Sequence, residues 1–206
     1  MKSIINLSQF SDTALWNLLI QGDQIALKAI YQKYYALLLN YALKYTSDKE
    51  LIKDCIHDLF VHLYKNRNIS VDTVSVRAYL IKSLRNSLIN KLVTQQREIE
   101  LIDNLSFNIP SDDNLFEQMF PKDDKDVLLA RYLREAIERL PEHQKEVLYL
   151  RYIKDLSHKE IAAVMHMNVQ SSMNLTNRAI QKLREILAKK GFLVSTYYIL
   201  VLLKYI

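Results

Sequence analysis

The stretch that decides the fold is SHKEIAAVMHMNVQSSMNLTNRAIQKLREILAKK, residues 157–190. Ser157 and Glu160 form a capping box, S-x-x-E, ahead of an apolar run, which predicts a helix of about eight residues. Residues 166–168 break that helix, and the asparagine that ends the break can cap a second helix over about 169–190. Two helices joined by so short a turn indicate a helix-turn-helix.

The second of these helices separates its side chains into two faces. The face expected to pack inward carries Ser172, Thr176, Ala179, Leu183 and Ile186/Leu187. The face expected to point outward carries Gln170, Ser171, Asn174, Asn177, Arg178, Gln181 and Lys182. Amides can bond adenine edges and arginine can bond guanine, so the outward face predicts contact with duplex DNA. A three-helix core module that binds no DNA has the same periodicity, and this pattern leaves it open.

Composition restricts the rest of the fold. The chain has 206 residues with 2 Gly and 3 Pro, too few for the turns of an all-β protein or for a glycine-rich phosphate loop. Apolar residues at steps of three and four predict further helices at about 24–45, 48–65, 74–94, 124–139 and 141–153. We therefore expect an all-α fold.

Catalytic and metal-binding patterns are missing from the sequence. None of its 5 histidines lies in an H-E-x-x-H motif, and Cys55 has no second cysteine with which to hold zinc or form a disulfide. The stripe of apolar residues around Cys55 predicts a buried structural thiol. We expect no enzyme activity, metal, cofactor or small-molecule substrate. Without a signal peptide pattern or a run of ~20 apolar residues, a cytoplasmic location is expected.

Charge is distributed unevenly along the chain. The net charge is +5, yet residues 77–97 carry five basic groups and no acid, residues 98–126 have a net charge of −7, and residues 127–206 have a net charge of +6. Basic segments of this kind are typical of proteins that bind a polyanion. The first segment interleaves cations with amides and one aromatic ring, which suits single-stranded nucleic acid, with a basic solvated helix face as the alternative. Its candidate residues are Arg77, Tyr79, Lys82, Arg85, Asn86, Asn90 and Lys91.

These patterns predict two small helical domains joined by an acidic linker. The expected divisions are an N-terminal helical bundle at 1–95, a linker at 96–122, a helix-turn-helix domain at 123–191 and an apolar tail at 192–206. The tail, FLVSTYYILVLLKYI, is too short to cross a bilayer as a helix. We expect it to pack against a helical domain of the same chain, with a membrane-surface anchor as the alternative.

The order of these segments resembles a known family. Residues 29–45, 48–67 and 77–93 are similar to the first domain of extracytoplasmic-function (ECF) sigma factors of the sigma-70 family, and residues 133–187 to the second. The family's LP…EV…LS..EIA run stands here as Leu140-Pro141, Glu146-Val147, Leu156-Ser157 and Glu160-Ile161-Ala162. The Tyr-, Leu-, Asn- and Lys-rich composition is similar to that of Bacteroidetes-type members.

The resemblance implies a subunit that directs RNA polymerase to promoters. It implies polymerase binding by Asp54, His57, Asp58 and Phe60, although the family usually has Gln-Glu where His57-Asp58 stand. It assigns binding and melting of the −10 element to the basic segment named above. It assigns the −35 element to the last long helix, through Gln170, Ser171, Met173, Asn174, Asn177, Arg178 and Lys182.

The helix-turn-helix departs from the family pattern in two ways. His166 stands where the turn usually has Gly, and Met173 and Leu175 occupy reading positions that often hold Lys or Arg. We therefore expect weaker DNA binding than is usual in the family.

The partners implied by the resemblance are core RNA polymerase, promoter DNA and a membrane-bound anti-sigma factor. Two alternatives remain at this point. One is a stand-alone helix-turn-helix regulator, and the other is a helical interaction module that binds no DNA.

Overall fold

The computed structural model describes residues 10–66, 75–95, 106–108, 124–193, 195, 199 and 203, and all regular structure in these residues is helical. The chain divides into two compact units, Met1–Asn104 and Leu105–Ile206. The all-α prediction is confirmed. Most of the predicted acidic linker lies outside the described residues.

The first unit contains four helices: α1 (Asp12–Ile20), α2 (Gln24–Ala42), α3 (Lys49–Lys65) and α4 (Val76–Gln95). The first three begin at side-chain caps, provided by Ser11, Asp23 and Asp48. Gly22 follows α1 at φ 94°, a conformation that favours glycine and reverses the chain between α1 and α2. The predicted ranges agree with these helices to within a few residues.

The core of the first unit lies among α2, α3 and α4, with α1 packed on α2. Trp16 of α1 is buried and meets the Tyr79 ring of α4 edge-on, with 5.2 Å between centroids. Asp12 of α1 accepts hydrogen bonds from Lys33 Nζ and Tyr34 Oη of α2, each at 2.5 Å. Burial acts to raise the pKa of Asp12, but these bonds and the nearby cations outweigh it and lower that pKa. Helix α1 is thus attached to the bundle by both apolar and ionic contacts.

Cys55 lies inside this core, as the sequence predicts. The side chain is fully buried, and burial raises the pKa of its thiol. A thiol in this environment is a small apolar side chain rather than a nucleophile.

The second unit contains α5 (Asp124–Glu138), α6 (Glu142–Leu148), α7 (His158–Val164) and α8 (Val169–Lys189). The sequence predicted one helix over about 141–153, and the chain is helical over this range, but the second half is a π-helix and not an α-helix. Tyr149–Ile153 form a π-helical turn, after which Asp155 takes φ 52°. The turn is closed by the Arg151 guanidinium, which donates to the Leu156 carbonyl at 3.0 Å. Apolar periodicity carries no signal for this local widening.

The C-terminal tail begins after Gly191, which takes φ 87° at the end of α8. The Phe192 ring packs against Tyr132 of α5 with 5.6 Å between centroids, and Lys190 Nζ lies 5.0 Å from the same tyrosine ring. Further along, Ile199 and Leu203 are both helical and at most 2% exposed. These two side chains are therefore covered, and the packing of the tail as a whole against a helical domain stays a prediction.

No helix among the described residues has both the length and the apolar character needed to cross a membrane.

Candidate nucleic-acid interface

The helix-turn-helix is formed by α7, a short turn and α8. The capping box is present in full, because Glu160 N–H donates to Ser157 Oγ at 3.3 Å and Ser157 N–H donates to Glu160 Oε2 at 2.7 Å. Asn168 caps α8 by accepting from the Ser171 N–H at 2.7 Å. His166 lies in the turn at φ 54°, the left-handed conformation that the family pattern provides for with glycine.

Helix α8 presents its polar residues on one face. Its inward face is buried at Ser172, Thr176, Ala179, Leu183 and Leu187, and Ile186 is half-buried. Its exposed residues include Met173 and every predicted member of the outward face, namely Gln170, Ser171, Asn174, Asn177, Arg178, Gln181 and Lys182. Gln170 Nε2 donates to Asn174 Oδ1 at 3.1 Å, which orders the first turn of this face.

Electrostatics favour an anion at the start of α8. Residues 169–184 contain no Asp or Glu, so the exposed face carries cations and neutral groups but no anion. The positive end of the helix dipole lies at its N-terminus, where free N–H groups can meet a phosphate. The arrangement fits a helix that enters a DNA groove by its first turns.

One residue that holds this helix in place was missed in the sequence. His158, the first residue of α7, lies with its Nδ1 3.0 Å from Oγ of the fully buried Ser172 in α8. Burial lowers the pKa of His158, and the positive charge of Arg151 lowers it further. The hydroxyl of Ser172 on the inward face was the available signal, since a buried hydroxyl needs a hydrogen-bond partner.

Helix α4 distributes its predicted site residues between surface and core. Asn90 is exposed, and Arg77, Tyr79, Lys82, Asn86 and Lys91 are partly exposed. Arg85 is 8% exposed and therefore does not belong to the accessible set. It lies four residues from both Ile81 and Ile89, which are buried, so helical geometry places it on the packed side.

Helix α3 presents three of its four predicted polymerase-binding residues. Asp54, His57 and Asp58 are exposed. Phe60 is 6% exposed and its ring centroid lies 4.9 Å from that of Tyr31, so its side chain is packed in the core and is not presented on the surface. Its neighbours in the apolar stripe already place it on the buried side of α3.

An ion pair connects α3 with α4. Lys91 Nζ donates to Asp58 Oδ2 at 2.8 Å. This bond lowers the pKa of Asp58 and raises that of Lys91, so both groups stay charged at neutral pH. Among the described residues no cluster of His, Cys, Asp or Glu side chains is arranged to hold a metal ion.

Family models match both units of the chain. The Sigma-70 region 2 model matches residues 30–98 and the Sigma-70 region 4 model matches residues 130–183, which together make up more than half of the chain.

Curated relatives extend the match over most of the chain. The ECF RNA polymerase sigma factor SigM of Bacillus subtilis is 26% identical over 155 residues, covering 75% of this chain and 91% of SigM. The RNA polymerase sigma factor YlaC of Bacillus subtilis is 24% identical over 80% of this chain and 93% of YlaC. The RNA polymerase sigma factor FliA of Escherichia coli is 43% identical over 61 residues, 30% of this chain and 26% of FliA.

A solved structure shares the fold. In the structure of CnrH in complex with the cytosolic domain of CnrY, the matching chain has a TM-score of 0.55 and 20% identity, and the match covers 86% of this chain and 97% of that one. The two helical units, the exposed polar face of α8, the two family models and the full-length relatives lead to one conclusion: the chain belongs to the sigma-70 family of RNA polymerase sigma factors, in its extracytoplasmic-function group.

Proposed function

We propose that this sigma factor binds core RNA polymerase, recognises the −10 and −35 elements of a promoter and initiates transcription without catalysis of its own. The observation that carries the proposal is the exposed face of α8. This face is mostly polar, contains no acidic residue as far as Arg184, and lies opposite the face that packs in the core. The matches to sigma factors do not favour a stand-alone regulator or an interaction module. We place its action in the cytoplasm, where polymerase meets the chromosome.

Recognition of the −35 element rests on the first three turns of α8. Asn174 and Arg178 lie one turn apart, and their side chains are exposed. An asparagine can bond both edge atoms of adenine and an arginine those of guanine, so each can distinguish one base pair. Gln170, Ser171, Met173, Asn177 and Lys182 line the same face, as contacts to bases or to the DNA backbone.

Melting of the −10 element rests on the accessible part of α4. Lys82 and Lys91 can hold phosphates, while the amides of Asn86 and Asn90 and the ring of Tyr79 can hold unstacked bases. Arg77, at the start of the helix, extends the basic surface. Opening the duplex costs a few kcal/mol for each base that is turned out, and such contacts offset that cost.

Polymerase binding is assigned to the exposed residues of α3. Asp54, His57 and Asp58 form an acidic surface beside the DNA-binding surface of α4, which fits a basic or polar partner surface. The ion pair between Asp58 and Lys91 connects the two surfaces.

A protein regulator is part of the proposal. The match to CnrH in complex with the cytosolic domain of CnrY supports a membrane-bound anti-sigma factor as the partner that holds this chain inactive. The composition, with 13 tyrosines, supports a Bacteroidetes-type source.

Run-off transcription with purified core polymerase on genomic fragments tests the proposed function. We expect specific transcripts with the chain present, resistant to a heparin challenge, and none with core polymerase alone. A stand-alone regulator would instead bind duplex DNA tightly without polymerase, and an interaction module would yield neither result.

A further inference from the structure

One side chain from the region predicted as linker is buried in the second unit. Phe107 is 1% exposed, whereas its neighbours Ser106 and Asn108 are exposed. It belongs to the unit that starts at Leu105, well before the first turn of α5 at Asp124. Among the described residues of the predicted linker, Phe107 therefore holds the chain against the second unit.

The contacts of Phe107 are specific. Its ring meets Tyr149 edge-on, with 5.6 Å between centroids, and its backbone N–H donates to Glu142 Oε2. Glu142 is itself held by Lys145, whose Nζ donates to Oε1 at 3.1 Å. Tyr149 is the first residue of the π-helical turn, and Lys154 Nζ lies 5.1 Å from the centroid of its ring.

The anchor shortens the connection between the two units. With Phe107 bound, residues 96–106 connect α4 to the second unit, and at ~3.3–3.6 Å per residue they reach at most about 40 Å. Without the anchor, residues 96–123 would make the connection and could reach about 100 Å. A limit of this size matters for a protein that must bind two DNA elements at once, because each added base pair lengthens the duplex by ~3.4 Å.

We propose that Phe107, bound against Tyr149 and Glu142, sets the length of DNA between the −10 and −35 elements that this sigma factor accepts. The inference rests on the proposed function. Phe107 is a positioning residue here and does not touch DNA. Promoters with longer spacers require the anchor to be released, so they are used less well.

Insertions on either side of Phe107 test this directly. A Gly-Ser segment of ten residues is inserted into the full chain, after residue 100 in one variant and after residue 115 in the other. Transcription with core polymerase is then measured on promoters in which the DNA between the −10 and −35 elements is lengthened by one to three base pairs. The first insertion lengthens the connection with the anchor in place. The second lies beyond the anchor and serves as the matched control.

The quantity compared is the spacer ratio, which is transcription from the longest spacer divided by transcription from the optimal one. We expect the insertion after residue 100 to raise this ratio by about tenfold, because burial of one aromatic side chain shifts an equilibrium by about that factor. The insertion after residue 115 should leave this ratio unchanged. Phe107→Ala should raise the ratio as the insertion after residue 100 does. In the Phe107→Ala background the two insertions should have the same effect on the ratio, whereas in the Phe107→Leu background their effects should differ as they do in the wild type.

Three results would overturn the inference. If the chain directs transcription but both insertions change the spacer ratio equally in the wild-type background, Phe107 does not limit the reach. If the chain directs no transcription on any template, the proposed function fails and the inference fails with it. A variant that merely weakens the fold lowers transcription at every spacer and leaves the ratio unchanged, which also contradicts the inference.

Discussion

The apolar tail should contribute strongly to the stability of the second unit. Ile199 and Leu203 are at most 2% exposed, and truncation of one buried Leu or Ile to Ala destabilises a protein by about 2–5 kcal/mol. The double variant Ile199→Ala/Leu203→Ala should therefore lose about 4 kcal/mol at the low end of that range. At a urea m-value of ~2 kcal/mol/M the unfolding midpoint should fall by about 2 M.

The chain has features that make this measurement selective. Its one tryptophan, Trp16, is buried in the first unit, so tryptophan fluorescence reports unfolding there. Far-ultraviolet circular dichroism reports both units. We expect the double variant to lower only the dichroism transition that belongs to the second unit, with the fluorescence transition unchanged.

Leu193→Ala is the matched control, because Leu193 belongs to the same tail and is 96% exposed. Its effect should stay within about 0.5 kcal/mol. An unchanged dichroism midpoint in the double variant would refute intramolecular packing of the tail. A shift in the Trp16 transition would refute its assignment to the second unit.

Three further predictions follow from named contacts. Asn174→Ala and Arg178→Ala should each lose about 1–3 kcal/mol of discrimination at one −35 base pair, measured by transcription from single-base promoter variants. Lys189 is exposed at the far end of α8, and Lys189→Ala should cause no such loss. The second unit should lose stability as pH falls from about 7.5 to about 5.5. The pKa of His158 is lower in the folded chain than in the unfolded chain, so on acidification the unfolded chain binds the proton first and is favoured. If the urea midpoint of His158→Asn falls as steeply with pH as that of the wild type, His158 is not the cause. The buried Cys55 should react with a thiol reagent only after unfolding, and rapid labelling of the native protein would contradict its place in the core.

Helix positions and caps could be predicted because they depend on local chemistry. Ser157, Asp23, Asp48 and Asn168 all serve as the N-caps that their side chains favour, and the exposed face of α8 follows from its periodicity. These features need only neighbours within a turn or two of the helix.

Features that depend on contacts distant in sequence could not be predicted. Phe107 is an apolar residue in a polar, proline-containing segment, and nothing near it in sequence shows that Tyr149 and Glu142 receive it. Arg85 was assigned to the surface by its charge, although its long side chain can pack among apolar residues. Phe60 was assigned to polymerase by resemblance, although its place in the apolar stripe of α3 makes it part of the core.

The most direct test of the account is permanganate probing of unpaired thymines at a promoter that the run-off experiment identifies. We expect reactive thymines in the −10 region only when core polymerase and this chain are both present, with lower reactivity for Asn86→Ala/Asn90→Ala on α4. Thymines that become reactive with core polymerase alone, or that stay unreactive with both proteins on a transcribed promoter, would contradict the claim that this chain opens promoter DNA as a sigma factor.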